Sequence, residues 1–262
     1  MKKLCCILML LLLTLCACEG QTAQTTDATD PTTAVTTTMQ TTEVTTDAVT
    51  EVTAVTEATA TEPARDYLYL SEVDFSAYKD AMTTEEYAAL ASYIPVLQGE
   101  KTFVWQSSWL DRTVQAVDIS DFHAALWEGK ENPSAELIPD RFTLLNIVGD
   151  DSPELILWVR DIGYHQLVLH LTEDGTYYGI DYPIRWFEPV GYGVYSASGG
   201  AASGSYYTLQ FADGVFTQER TAEWDNDNGT YVLNGETVDK AAFDSWEKAL
   251  NISDPKWFEC KK

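Results

Sequence analysis

Hydrophobic residues recur with the period of a helix in three stretches of the chain beyond residue 65. Before the first stretch, Thr83 and Glu86 form a capping-box pattern, which predicts a helix over residues 84–94. Pro95 stands near the end of this helix, because proline lacks the backbone N–H that a further turn needs. The same pattern predicts two further helices, over residues 118–127 and 239–250.

Strand-like runs occupy most of the remaining chain between residues 101 and 233. Three dipeptides typical of tight turns lie between such runs and predict hairpins: Asp174-Gly175, Asp213-Gly214 and Asn234-Gly235. The runs themselves cover residues 101–106, 113–117, 142–148, 154–160, 166–171, 176–180, 193–197, 206–211, 215–220 and 230–233. Together they predict an α+β domain, built as an antiparallel β-meander flanked by about three helices.

Composition changes abruptly at two places, near residue 18 and near residue 64. No Lys or Arg lies between Lys3 and Arg65, and every aromatic residue lies beyond residue 65. These breaks predict a signal peptide over 1–17, a linker over 18–64 and one folded domain over 65–262. The linker is rich in Thr, Ala and Val and contains no aromatic residue, so we expect a disordered spacer with a span on the order of 40 Å.

The leader begins with Lys2 and Lys3, and an apolar run of roughly a dozen residues follows. That run is shorter than the roughly 20 residues that span a bilayer, which favours a signal peptide over a permanent transmembrane helix. Residues 15–18, Leu-Cys-Ala-Cys, resemble the lipobox of bacterial lipoproteins. Cleavage before Cys18 fits this motif better than cleavage before Cys16, because the small Ala17 precedes the first site and the large Leu15 precedes the second.

The lipobox resemblance implies a diacylglyceryl thioether on Cys18, with acyl chains of the palmitate class. Two such chains give lasting anchorage, so the resemblance implies an extracytoplasmic protein held on the bacterial cell membrane. A secreted protein cut at another position is the alternative. After cleavage at the lipobox only Cys18 and Cys260 remain, which predicts a domain without an internal disulfide.

The chain carries a formal net charge of −25. Such a surface repels phosphate and lacks the cations that release counterions from nucleic acids, so nucleic acid is excluded as a partner. The three histidines also argue against zinc. His165 and His170 are five residues apart on one predicted strand, which places their side chains on opposite faces, and His123 lies on a predicted helix.

Residues 146–154 resemble the D-x-D-G-D-G-x-x-E calcium loop of many secreted bacterial proteins. The resemblance implies Asn146, Asp150 and Glu154 as calcium ligands, with the turn at Gly149. The loop departs from the pattern because Val148 occupies a carboxylate position and Asp151 replaces the second glycine. The alternative is a degenerate loop that acts only as a turn.

Three segments beyond residue 140 also resemble a recurrent domain of Gram-positive lipoproteins. They read F-x-L-L-x-I-x-G-D-x-x-P-E-L-I-L, S-G-G-A-x-S-x-S-Y-Y-x-L and Y-x-L-N-G-E-x-V. This resemblance implies an architecture and no activity.

A glycine-rich stretch lies among clustered aromatic residues near position 200. A strand follows the stretch where a phosphate-binding loop would need a helix, so we expect a ligand-facing or merely folded loop. Consecutive aromatic pairs on a strand cannot both face the core, and rings that face outward suit sugar stacking or a protein partner. The candidate ligand residues are Tyr192, Tyr195, Ser198, Gly199, Gly200, Ser203 and Tyr206.

No catalytic residues can be assigned from these patterns. The favoured function is a non-enzymatic, surface-anchored module that binds carbohydrate or a cell-envelope protein. One alternative is an extracytoplasmic hydrolase with a pair of catalytic carboxylates, and another is a structural or inhibitory lipoprotein.

Overall fold

The computed structural model describes residues 65–108, 112–128, 134–150, 152–160, 163, 165–191, 193–250 and 254–260. The predicted signal peptide, the anchor Cys18, the Thr-rich linker and Tyr192 lie outside these residues. Within the described ranges, no helix has both the length and the apolar character needed to cross a membrane.

The three predicted α-helices are confirmed. They are α1 (Thr84–Leu97), α2 (Ile119–Leu126) and α3 (Lys240–Ala249). Each begins after a side chain that accepts hydrogen bonds from the first turn, and these caps are Thr83, Asp118 and Asp239. Three short 3-10 helices were not predicted: Leu70–Glu72, Phe75–Ala81 and Ile184–Trp186.

Helix α1 runs three residues beyond its predicted end. The capping box is present, since Thr83 Oγ1 accepts from the Glu86 N–H and the Glu86 carboxylate accepts from the Thr83 N–H. Pro95 lies inside the last turn, and the helix continues through it because Val96 and Leu97 are buried in the core. Burial of these two side chains outweighs the hydrogen bond that proline cannot make.

Two sheets contain the described strands. The first sheet has seven strands, in the order β13-β3-β4-β5-β6-β1-β2, and the second has six, in the order β12-β11-β10-β9-β8-β7. The strands are β1 Phe103–Ser107, β2 Arg112–Val117, β3 Pro139–Leu145, β4 Glu154–Val159, β5 His165–Leu171, β6 Tyr177–Pro183, β7 Glu188–Gly191, β8 Val194–Ser198, β9 Ser203–Ala212, β10 Val215–Asp225, β11 Thr230–Leu233, β12 Glu236–Val238 and β13 Phe258–Glu259.

The predicted α+β class is therefore confirmed, and the described strand pairs are antiparallel except for one. Strand β1 pairs parallel with β6, an arrangement that the predicted meander does not contain. All three predicted hairpins form, between β5 and β6, β9 and β10, and β11 and β12. Asp213 and Asn234 adopt positive φ angles of 53° and 49°, and the glycine after each does the same, as in type I′ turns.

Both faces of the first sheet are covered. One face packs on α1 and α2, through residues such as Leu155 and Leu167. The opposite face packs on the second sheet, through residues such as Ile156 and Val168. The outer face of the second sheet carries Tyr206, Ala222 and Tyr231, which pack against Phe243 of α3. The described residues thus form one compact unit with four layers, helix, sheet, sheet and helix.

Candidate functional site

Two clefts open at the junction between the two sheets. The first, which we call the aromatic cleft, has a volume of about 360 Å³. Its described lining consists of Ser108, Tyr182, Trp186, Ala197, Ser198, Gly199, Ser205, Tyr207 and Gln218. No charged side chain occurs among these residues, although the chain as a whole is strongly acidic.

A column of stacked aromatic rings forms one side of the aromatic cleft. The rings of Phe187 and Tyr182 stack with centroids 4.6 Å apart, and those of Tyr195 and Tyr207 stack with centroids 5.4 Å apart. Tyr182 and Tyr195 connect the two pairs, at a centroid distance of 5.6 Å. Because all but Tyr207 are fully buried, the column gives the cleft a rigid wall.

Hydroxyl and amide groups lie beside these rings. Burial raises the pKa of Tyr195 and Tyr182 well above the ordinary tyrosine value, so both hydroxyls stay protonated and act as donors. The Tyr195 hydroxyl donates to Oε1 of Gln218 at 2.7 Å, which leaves the Gln218 amide N–H groups for another acceptor. The Tyr182 hydroxyl lies beside the Tyr195 hydroxyl, and the described residues offer no hydrogen bond to the buried hydroxyl of Ser108.

Trp186 stands at the mouth of the aromatic cleft, in the 3-10 helix between β6 and β7. Its side chain is 52% exposed, and only Val215 is a comparably exposed large hydrophobic residue among those described. The described residues leave about half of Trp186 uncovered, and this exposed part of the indole can stack on a ligand.

The predicted glycine-rich ligand loop is partly brought to the aromatic cleft. Ser198 and Gly199 line it, and Tyr195 lies beneath it through the bond to Gln218. Gly200 and Ser203 close the turn between β8 and β9, where Gly200 O accepts from Ser198 Oγ and Ser203 O accepts from the Gly199 N–H.

Tyr206 lies apart from the aromatic cleft. Its ring is on the opposite face of β9, and its hydroxyl donates to Glu247 of α3 at 2.6 Å. The next residue, Tyr207, takes the place in the cleft that the prediction assigned to Tyr206. The pattern of the paired tyrosines indicates that the two rings face opposite ways, but it does not say which face is covered by a helix.

The second cleft, which we call the histidine cleft, has a volume of about 590 Å³. Its described lining is Gly149, Asp150, Ser152, His170, Leu171, Thr172, Glu173 and Phe211. It therefore lies beside the loop between β3 and β4, where the sequence predicted calcium.

The side chains of that loop bond mainly to the loop itself. Asn146 Oδ1 accepts from the Gly149 N–H at 2.8 Å, and Asp150 Oδ1 accepts from the Ser152 N–H at 2.9 Å. The carboxylate of Glu154 is fully buried, and Oε2 accepts from the Ile147 N–H at 2.7 Å and the Val148 N–H at 3.2 Å.

The other oxygen of Glu154, Oε1, lies 2.9 Å from Nδ1 of His170. His170 is 3% exposed, and its ring packs on Phe211 with centroids 4.3 Å apart. The second ring nitrogen, Nε2, lies 3.9 Å from Oδ2 of Asp150. One donor atom each from Asp150, Glu154 and His170 lie within 4.8 Å of one another, a grouping able to hold a metal ion.

Asp150 and Glu154 of the predicted calcium set are thus brought together, while the amide oxygen of Asn146 is used inside the loop. Sequence reasoning missed His170 as a neighbour, because the spacing along the chain does not show that the ends of β4 and β5 are adjacent. The prediction of bound calcium remains a prediction.

The other two histidines lie elsewhere. His165 faces the helix side of the first sheet, with Nδ1 3.4 Å from the buried carboxylate of Asp181, so it and His170 do lie on opposite faces of β5. His123 of α2 accepts a hydrogen bond from Trp127 Nε1 at 2.9 Å. Cys260 is a buried free thiol, and burial raises its pKa to about 12.

In comparisons with known proteins, no protein-family model, no curated protein and no solved structure matches the chain.

Proposed function

We propose that this chain is a surface-anchored lipoprotein whose folded domain binds a neutral carbohydrate, without catalysis, in the aromatic cleft. The observation that carries the proposal is the exposed indole of Trp186 beside the buried hydroxyl of Ser108, to which the described residues offer no hydrogen bond. A sugar ring has an apolar face that stacks on an indole and hydroxyl groups at its edge that bond to such donors and acceptors.

The size and charge of the cleft narrow the ligand class. A volume of about 360 Å³ lies at the small end of the range typical of ligand pockets, which suits one or two sugar units. The described lining contains no cation to pair with an anionic sugar, and the net charge of −25 would repel one. A neutral glycan therefore fits better than an acidic one.

Glycan binding is tested with the full chain carrying Cys18→Ala, so that the protein stays unacylated. We expect binding to at least one neutral glycan on an array, and Trp186→Ala should weaken that binding at least tenfold because the stacking platform is lost. Val215→Ala is the matched control, since Val215 is 49% exposed and lies outside the described lining of the cleft. The proposal fails if no neutral glycan binds, or if both variants bind alike.

The anchor is proposed from the lipobox, and the Thr-rich linker would then let the domain reach a ligand away from the membrane surface. Labelling cells with a clickable palmitate analogue tests it. The full chain and Cys16→Ala should take up the label, and Cys18→Ala should not. Label retained by Cys18→Ala would place the anchor elsewhere.

A further inference from the structure

The histidine cleft presents a nitrogen donor that the folded chain prepares and does not use. Glu154 Oε2 already accepts two backbone N–H groups, and Oε1 faces Nδ1 of His170, so the carboxylate acts as an acceptor on every side. Nδ1 therefore carries the proton in the bond to Oε1. In the neutral ring, the lone pair then belongs to Nε2.

The surroundings of Nε2 point to a cation. The His170 side chain is more than nine-tenths buried, yet Nε2 makes no hydrogen bond to the residues that the structure describes. It faces Oδ2 of Asp150 at 3.9 Å, which is too far for a hydrogen bond. Two ligand atoms about 2.1 Å from a tetrahedral zinc ion lie about 3.4 Å apart, so the exposed Asp150 carboxylate needs to move only about 0.5 Å toward Nε2 for one ion to bind both.

We propose that the histidine cleft binds one divalent metal ion of intermediate softness, such as Zn²⁺, through Nε2 of His170 and the carboxylate of Asp150. Glu154 is then a positioning residue that holds the ring and its tautomer, as carboxylates do behind many metal-bound histidines. The inference is independent of the carbohydrate proposed for the aromatic cleft.

The same contacts argue against the calcium ion that the loop pattern predicts. Calcium takes six to eight oxygen ligands, whereas the amide oxygen of Asn146 and both oxygens of Glu154 are already hydrogen-bonded within the protein. Of the predicted ligands, only Asp150 keeps an oxygen that faces the cleft. A nitrogen donor beside it favours zinc-like ions over calcium. The spacing of the three histidines argues against a zinc site built from histidines, but it does not show that the fold brings Asp150 to His170.

The remaining coordination positions face the cleft. Glu173 and Thr172 line its wall, and the open volume of about 590 Å³ admits water or a small ligand at the ion. A site with few protein ligands and open positions resembles the open arrangement of catalytic zinc sites more than the closed four-ligand structural ones.

The test measures Zn²⁺ binding to the full chain carrying Cys5→Ala, Cys6→Ala, Cys16→Ala and Cys18→Ala, so that no leader thiol binds the ion. The protein is stripped of metal by a chelator, and binding is measured in competition with a chromophoric zinc indicator. We expect one ion for each chain, and a hundredfold excess of Ca²⁺ should not displace it. Asp150→Asn should weaken zinc binding at least tenfold. Asp227→Asn is the control, because it removes the same charge from an exposed position in the turn between β10 and β11.

Glu154→Gln distinguishes positioning from simple loss of charge. The amide oxygen can keep accepting from the Ile147 and Val148 N–H groups, while the amide N–H donates to Nδ1 of His170 and moves the ring proton to Nε2. Zinc affinity should therefore fall 10- to 100-fold. The nitrogen NMR shifts of the His170 ring should show the exchanged tautomer without added metal.

The fold of each variant is checked by its melting temperature without metal, so that loss of structure is not mistaken for loss of a ligand. The proposal is overturned if the chain binds no Zn²⁺, or if Asp150→Asn and Glu154→Gln bind it as the parent does. It is also overturned if Ca²⁺, at up to a hundredfold excess, displaces Zn²⁺.

Discussion

Glu154 and His170, sixteen residues apart, are joined by a 2.9 Å contact between Oε1 and Nδ1 at the adjoining ends of β4 and β5. The fully buried carboxylate also accepts the N–H groups of Ile147 and Val148. One side chain thus holds both the loop after β3 and the ring at the histidine cleft, and its removal would leave three donors without an acceptor.

Replacement of Glu154 by Ala should destabilise the domain by about 3 kcal/mol or more, because buried donors that lose their acceptor keep the cost of desolvation. The free energy of unfolding in urea measures this. Glu173→Ala, an exposed acid at the same cleft, should change it by about 0.5 kcal/mol at most. Equal losses in the two variants would contradict a structural role for Glu154.

Tyr206→Phe should lower the free energy of unfolding by about 1 kcal/mol, because the Tyr206 hydroxyl donates to Glu247 of α3. Glycan affinity should not change, since Tyr206 faces away from the aromatic cleft. Trp186→Ala should show the opposite pattern, with stability kept and glycan binding weakened. Calorimetric melting measures the stability of both variants, and glycan titration measures their affinity. Weaker glycan binding by Tyr206→Phe would contradict the placement of the Tyr206 ring on the face of β9 away from the cleft.

Gly204→Ala should destabilise the domain by about 1–3 kcal/mol, the usual cost of overpacking. An added Cβ would clash with the Trp224 ring and lie 2.8 Å from the carbonyl oxygen of Ala197. Gly199→Ala is the control and should cost less, because the nearest atom to its Cβ is the movable Ser203 Oγ at 3.0 Å. Urea unfolding curves compare the two, and a larger loss in Gly199→Ala would contradict the packing.

Stability should fall as the pH rises above about 9, and Cys260 should contribute to the fall. Burial raises its folded-state pKa from 9.0 to about 12, so between these values the unfolded thiol loses its proton while the folded thiol keeps it. The contribution of the Cys260 thiol to the free energy of unfolding is therefore complete below pH 9 and is lost as the pH rises toward 12. Cys260→Ala should flatten this part of the stability–pH profile, and an unchanged slope would contradict it.

The buried thiol also predicts slow chemistry at neutral pH. In the folded chain carrying Cys5→Ala, Cys6→Ala, Cys16→Ala and Cys18→Ala, Cys260 is the one remaining thiol. It should resist a thiol-specific reagent at pH 8 and react fully in urea. Rapid reaction without urea would show that the end of the chain opens readily.

Local patterns predicted the local structure of this domain well. The capping side chain of Thr83 and turn dipeptides such as Asn234-Gly235 act within a few residues, and they lie where the sequence placed them. The missed strands β7, β12 and β13 have two to four residues, too few for an alternating pattern, and only pairing with a neighbour makes them strands.

The two clefts depend on contacts that no local pattern contains. Ser108 and Gln218 reach the aromatic cleft because β1 pairs with β6 and the two sheets stack, which joins residues more than a hundred positions apart. Likewise, the sequence determined that His165 and His170 face opposite ways, since side chains alternate along a strand. Only the tertiary structure decided that His170 meets Glu154, because the register of the antiparallel β4–β5 pair, with Leu155 opposite Leu169, sets Glu154 across from His170.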